Sequence, residues 1–448
     1  MTPEERHFYS ERDRRTIAYG TPAEALERSI GIRIGPRAAE TTTGQILLLT
    51  AVNIAARVHR HMVVDVPDVP LQAPALVPSS SLLDAAIRLA TAVDPYIRIK
   101  TSAVGFEGPV LAVGDGRGTI HTGAHGYQAT VAGAPQAVVD HPAGVLGAGL
   151  AACLGTAALL QVVVGSRPVF RTTSLWLFDD CRRDQIGPLE PIAPLDVGAN
   201  VAVIGAGAVG SAVAYWAYHL GVQGRWSFVD GDVVELHNTN RSIGMFAADA
   251  GWPNGRPQGP GYSKAEIAAA LISGDPEKAW YDEWVVNTPR PDLIIPVAND
   301  RGIRQNIGHL GLPLLIHAAT SPNWTAELHR HGPRDDCPSC RFPAIRSASF
   351  ECAQGPLEPR RASESTDTAD AALPFLSAAA GLLIIAALTQ LGMGYLDLKP
   401  NHHRLLFESG VQMSWLSSIK SCSPSCRIGL SSKARTLNAG HRWSHLEE

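Results

Sequence analysis

The sequence predicts an α/β protein of two tandem units, each a parallel sheet covered by helices, on three observations. Short apolar runs suited to buried strands alternate with segments of helical period. One strand runs into a glycine turn, "GAGAVGS" at 205–211, that opens a helix. The first 190 residues then follow the plan of the rest in worn form, down to two uncharged stretches (142–166 and 371–396) late in each half.

In chain order, "SIGIRIG" (29–35) reads as a strand, "GQILLLTAVNIAARVHRH" (44–61) as a helix and "MVVDVPD" as the next strand. Between the first two, "PRAAETTTG" stands where a glycine turn belongs, so this copy lacks a phosphate loop. The second copy keeps it. "NVAVI" (200–204) is a strand, and Gly205, Gly207 and Gly210 lead into the helix "SAVAYWAYHLG", closed by Gly221. "RWSFVD" is a strand ending on Asp230, "YSKAEIAAALI" a helix, and "PDLIIPVAN" and "LPLLIHAAT" are strands. "IHTGAHGYQATVAG" (120–133) echoes "IHAATSPNWTAELHRHG" (316–332), which argues duplication. The polar run from Cys352 to Pro374 reads as a mobile loop, with Pro374 placed to open the helix after it.

Bulk properties narrow the class. A chain of 448 residues implies two or three units. Its 38 basic against 42 acidic residues leave no footprint for nucleic acid or an anionic membrane. The charged start "MTPEERHFYSERDRR" is not a secretory signal. The uncharged stretches are long enough to span a bilayer, but they are rich in Ala and Gly and lack basic flanks, so they read as buried helices. Seven cysteines, an odd number, fit metal or thiol chemistry in a reducing cytoplasm better than a disulfide framework.

A glycine turn at a helix N-terminus presents unpaired N–H groups and a positive dipole end to phosphate. Asp230, 20 residues past Gly210, stands where a ribose carboxylate is wanted. Those features name a nucleotide but not which one. "CPSC" (337–340) and "CSPSC" (422–426) give Cys337, Cys340, Cys422 and Cys426, two close thiolate pairs suited to a structural zinc. Cys153 lies in an apolar helix and reads as inert core, and Cys181 has no assigned role.

"GAGAVGS", "VDGDVVELHNTNR" (229–241), Lys264 and "ND" (299–300) together resemble the adenylate-forming family of ThiF, MoeB and the ubiquitin-activating enzymes. The block runs from Asp230 through Asn238 to Arg241 with the family's spacing. The resemblance implies two tandem Rossmann-like adenylation folds forming a pseudo-dimer, with a homodimer left open. Residues 1–190 would be a degenerate, inactive domain and 191–430 the active one, with a crossover loop at 352–373 and a tail at 431–448. Asp230 would hold the ribose. Asp232, Asn238, Asn240, Arg241 and Lys264 would line the nucleotide site, with Asn238, Arg241 and Lys264 binding the phosphates and stabilising charge on the leaving pyrophosphate. The family's magnesium aspartate falls at Asn299, so Asp300 is favoured as the magnesium ligand. Arg15, or its neighbour Arg14, would reach from the N-terminal helix into the active half.

The same resemblance makes Cys352 the crossover-loop nucleophile, for which a thiolate is suited. The compact layout is most similar to activating enzymes of bacterial ubiquitin-like conjugation operons, some of which serve antiviral defence. ATP, magnesium and zinc, a ubiquitin-like protein and a conjugating enzyme are the cofactors and partners implied. Alternatives are a ThiF/MoeB-type activator of a sulfur carrier or peptide without transthiolation, and a non-catalytic nucleotide- or partner-binding scaffold.

Overall fold

The computed structural model describes residues 1–18, 20–176, 196–289, 291–299, 301–308, 314–321, 323–332, 336–341, 373–393, 402–407 and 414–415. A long helix, α1 (Pro3–Ala18), comes first and belongs to neither sheet. It is followed by α2 (Ala23–Leu26), β1 (Ile30–Ile34), α3 (Pro36–Ala39), α4 (Thr42–Ala56), β2 (His61–Asp65), α5 (Leu82–Val93) and β3 (Arg98–Lys100). The first half closes with β4 (Val110–Val113), β5 (Ile120–His125), β6 (Gln128–Ala132), β7 (Val138–Val139), α6 (Gly144–Val163) and β8 (Arg171–Ser174). Its sheet runs β3-β2-β1-β4-β5-β6-β8, with β7 against β5. The strands from β3 to β5 are parallel, and β6 and β8 turn antiparallel.

The second half begins with β9 (Asp196–Ile204), α7 (Ala208–Leu220), β10 (Gln223–Val229), α8 (Leu236–Thr239), α9 (Lys264–Leu271), β11 (Asp275–Glu277) and α10 (Tyr281–Asn287). It continues with β12 (Leu293–Pro296), α11 (Arg301–Gly308), β13 (Leu315–Ser321), β14 (Thr325–His331) and α12 (Pro338–Arg341). Last come α13 (Pro374–Gly392), β15 (His402–Leu406) and β16 (Ser414–Trp415). Its order is β11-β10-β9-β12-β13-β14-β15-β16, parallel as far as β13 and antiparallel beyond. The two sheets therefore share one strand order, and the two quoted echoes fall on the β5–β6 and β13–β14 hairpins.

Parallel strands with helices on both faces must be apolar throughout, and β12 is buried at every position. The strand and helix expectations above correspond to β1, α4, β2, β9, α7, β10, α9, β12 and β13. Gly221 closes α7 at φ 63°, a left-handed cap that glycine takes without Cβ strain. The periodic reading above did not supply α1, which is polar along most of its length, or α10, or α5, although α5 buries Leu82, Ala85, Ala86, Leu89, Ala90 and Val93 at helical spacing.

Both uncharged stretches are helices, α6 and α13, long and apolar enough to cross a membrane, yet 94% of each apolar window is buried inside the protein. They pack against each other, α6 also against α4 and α13 against α7, so four helices join the two sheets. Small residues permit that approach. A Cβ at Gly381 would lie 2.7 Å from the Ala212 carbonyl carbon and 2.8 Å from the Val213 nitrogen, both backbone atoms of α7. Trp216 of α7 donates its indole N–H to the Ala378 carbonyl at 2.8 Å, and Thr50 of α4 and Tyr215 of α7 pair their hydroxyls at 2.8 Å. Because backbone cannot yield as a side-chain tip can, Gly381→Ala is expected to lower unfolding stability by about 1–3 kcal/mol, read as a reduced midpoint in thermal or denaturant unfolding.

Candidate functional site

Strand order reverses between β9 and β12, and ligands of open α/β sheets bind outside the carboxyl ends of strands at such a switch point. The glycine turn lies there, and its three glycines do different work. Gly205 has φ +96° and abuts Ala298, whose Cα and nitrogen would stand 2.7 Å from an added Cβ. A Cβ on Gly210 would meet the Gly205 carbonyl oxygen at 2.0 Å, so this residue lets α7 start against the turn. A Cβ at Gly207 would meet nothing within 4 Å. That is the open position, where a ligand can approach bare backbone at the N-terminus of a 13-residue helix.

Asp230 follows β10 directly. Its carboxylate accepts from the backbone N–H of Ala206 at 2.7 Å and of Asp232 at 2.9 Å, tying the strand end to the glycine turn. Burial pushes its carboxyl above the ordinary range, opposed by Lys264 and those two N–H donors. Lys264, the first residue of α9 and 7% exposed, donates to Asp232 at 2.7 Å. Asp232 thus orients the lysine beside Asp230.

The rest of the block is held from outside. Asn238 accepts from the backbone N–H of Glu235 at 2.9 Å, fixing the turn that starts α8. Asn240 donates to the hydroxyl of Thr16, on α1, at 2.7 Å. Arg14, also on α1, donates to Nδ1 of His237 at 3.0 Å. Burial, then the charges of Arg15, Arg14, Arg241 and Lys264, push the His237 imidazole down to about 2. The ring is therefore neutral, with the Arg14 guanidinium in contact with it. The expected choice between Arg14 and Arg15 thus has both residues at the second half, with Arg14 in direct contact.

The first half builds this placement. Arg12 of α1 is fully buried and pairs with Asp13 and Asp94, both at 2.6 Å. Phe8 and Tyr9 share a small apolar core with Val234, Leu236 and Met245 from the block's own segment. Arg57, just past α4, donates to the carbonyls of Thr239, Ile243 (3.0 Å) and Met245 (3.0 Å), and Asn53 donates to Ile243 at 3.0 Å. Arg57, Asn53 and Arg12 were not anticipated from the sequence; a charged residue at the end of an apolar helix was the available signal.

The matching helix start of the first half is different. Asp140 places its carboxylate on the N–H groups of Thr43 (2.9 Å) and Thr42 (3.4 Å) at the start of α4. An internal anion therefore takes the position that a phosphate would need.

Some expected residues are placed less fully. Asn299 is exposed beyond the end of β12, and Asp300 lies outside the described residues. Cys337 is half-buried at the start of α12; Cys352, Cys422, Cys426 and the Cys340 side chain also lie outside the described residues. Cys153 is buried in α6, with its thiol pushed upward by burial, as an inert core residue should be.

The second sheet, with its glycine turn at the switch point, is consistent with a Rossmann-like fold. Residues 197–273, from β9 through α9, match the ThiF family. Residues 29–170 match the BilD N-terminal domain, a component of bacterial ubiquitin-like conjugation operons. The two matches support a ThiF/MoeB-type activating enzyme. No curated protein matches the chain.

The glycine geometry separates folding from binding. Gly210→Ala is expected to cost roughly 2 kcal/mol or more in stability. Gly207→Ala is expected to leave the unfolding midpoint nearly unchanged while weakening ATP binding at least about tenfold, because backbone access is lost. Calorimetric ATP titration beside thermal unfolding of both variants checks this.

Proposed function

We propose that the protein activates the C-terminal glycine of a ubiquitin-like protein. The carboxylate attacks the α-phosphorus of ATP, giving an acyl adenylate and pyrophosphate. The thiolate of Cys352 then displaces AMP and takes the acyl group as a thioester, which passes to a conjugating enzyme.

The observation that supports this reading is Arg14 on His237 at 3.0 Å and Lys264 on Asp232 at 2.7 Å, with the charges of Arg15 and Arg241 also felt at the His237 ring, beside a glycine turn whose open position is Gly207. A hydride-transfer site needs a ribose carboxylate and a turn. A set of four cations suits a triphosphate whose leaving pyrophosphate gains charge in the transition state. Asp230 would hold the ribose, Asn238 and Asn240 would keep the block in register, and Asp300, with Asn299, would serve magnesium. Magnesium bound there would neutralise phosphate charge. Cys337, Cys340, Cys422 and Cys426 would hold a structural zinc.

The shared strand order and the Asp140 carboxylate at the start of α4 favour reading residues 1–190 as an inactive copy and the whole chain as a pseudo-dimer. The match to the BilD N-terminal domain favours a bacterial ubiquitin-like conjugation system, for which we propose a cytoplasmic, antiviral role.

Two outcomes test this. Wild-type protein with its carrier should exchange labelled pyrophosphate into ATP and form an adduct that thiols release on a gel; Cys352→Ala should keep the exchange and lose the adduct. Exchange without any adduct would leave an activator without transthiolation, and no exchange would leave a binding scaffold. Arg14→Ala with Arg15→Ala should slow exchange on the order of 10²-fold if these residues stabilise the leaving group, with the unfolding midpoint little changed.

A further inference from the structure

On the outer part of the second sheet, strand alternation gathers an unusual set of side chains on one face. Glu327, His329 and His331 alternate along β14. Register pairs His329 with His317 of β13 on one side and with His402 of β15 on the other, and pairs Glu327 with Arg404. Ala326 and Leu328, of the other parity in β14, with Ala318 and Leu405 from the neighbouring strands, belong to the core packed against α13. Imidazoles bring no advantage to a packed sheet face unless their nitrogens are used, and His317, His329 and His331 are 0%, 1% and 4% exposed.

The carboxylate organises the group. Arg404 donates Nε to Oε1 of Glu327 at 2.8 Å, which leaves Oε2 aimed at the imidazoles. Oε2 lies 3.1 Å from Nε2 of His402 and 3.5 Å from Nε2 of His329, and the three ligand atoms all lie within 4.8 Å of one another. Zinc bonds to nitrogen and oxygen of about 2.0–2.2 Å put neighbouring ligand atoms of a tetrahedron about 3.3–3.5 Å apart. Two of the three edges are therefore near coordination length. The rings of His329 and His402 stack at 4.2 Å with 22° between their planes, so the third edge closes by a pivot of the rings about χ2. Glu327 and His402 are each 13% exposed at the side chain, which gives an ion and a water a way in. Behind them, His331 donates Nδ1–H to the Asp336 carbonyl at 2.6 Å and accepts from Nε2 of His317 at 3.0 Å, which fixes the inner pair of rings against His329.

We propose that Glu327, His329 and His402 form a binding site for a divalent transition metal, zinc foremost, with the fourth position open to water. Two imidazoles and a carboxylate are a donor set that zinc takes, and a single carboxylate charge on neutral nitrogens selects against calcium and magnesium. This site is separate from the four-cysteine zinc expected of the chain and does not depend on the proposed reaction. Arg404 is a positioning residue: it orients the carboxylate without touching the metal.

Cobalt(II) titration of chelator-stripped full-length protein, followed by visible spectroscopy and by metal analysis after gel filtration, tests the assignment. A quadruple variant, Cys337→Ser with Cys340→Ser, Cys422→Ser and Cys426→Ser, removes thiolate ligation at the cysteine pairs. In that variant the proposal expects one equivalent of cobalt with weak d–d bands and no thiolate charge-transfer band, displaced by one equivalent of zinc. His402→Gln and Glu327→Gln, each in the quadruple-serine background and each verified as folded by circular dichroism, should weaken that binding by at least about 100-fold. Arg404→Gln should weaken it about 10–100-fold. If the folded quadruple-serine protein binds no cobalt, or if both glutamine variants bind it as tightly as their parent, the site does not exist.

Discussion

Arg57 is the contact on which the backbone path beside the proposed nucleotide site depends. It comes from the first half, is fully buried, and spends its donors on the carbonyls of Thr239, Ile243 and Met245 in the second half and on Asn53 beside it. Burial lowers its guanidinium to about 9, so it stays charged at neutral pH. A buried cation without a carboxylate in hydrogen-bond contact is costly unless several dipoles turn toward it. The end of α8 and the residues just past Arg241 supply those dipoles, Thr239 from the helix and Ile243 and Met245 from beyond it. The end of the stretch that runs from Asp230 to Met245 is thus shaped by a residue more than 180 positions away.

The helix α1 adds a second dependence of the same kind. Arg12, Asp13 and Asp94 lock it to the first half, and Arg60 reinforces the lock at Asp13. From that anchor it presents Arg14, Arg15 and Thr16 to α8. On the proposed reading, the first half, whose own helix start is closed by Asp140, is a frame for the second rather than a rival site.

What could be read in the sequence was local. The strand, glycine turn, helix and strand from β9 to β10 were legible because the period, the turn chemistry and Asp230 lie within about 30 consecutive residues. The burial of α6 and α13 was legible from their Ala- and Gly-rich, unflanked composition. Three glycines that look equivalent in sequence were not separable there; only the space around each distinguishes Gly207 from Gly205 and Gly210. Arg57 and Asn53 sit in or beside an apolar helical run, where periodicity assigns them no partner. The histidines of β13, β14 and β15 come together through register across three strands, although "HRH" at 329–331 already alternates as a strand face should.

The central claim is that the first half builds the second half's nucleotide site through Arg57. ATP affinity of full-length Arg57→Met, titrated calorimetrically below its unfolding midpoint, tests it directly. The account predicts binding at least about tenfold weaker than wild type, because three carbonyls lose the charge that orders their loop. Wild-type affinity in a folded Arg57→Met protein would contradict it.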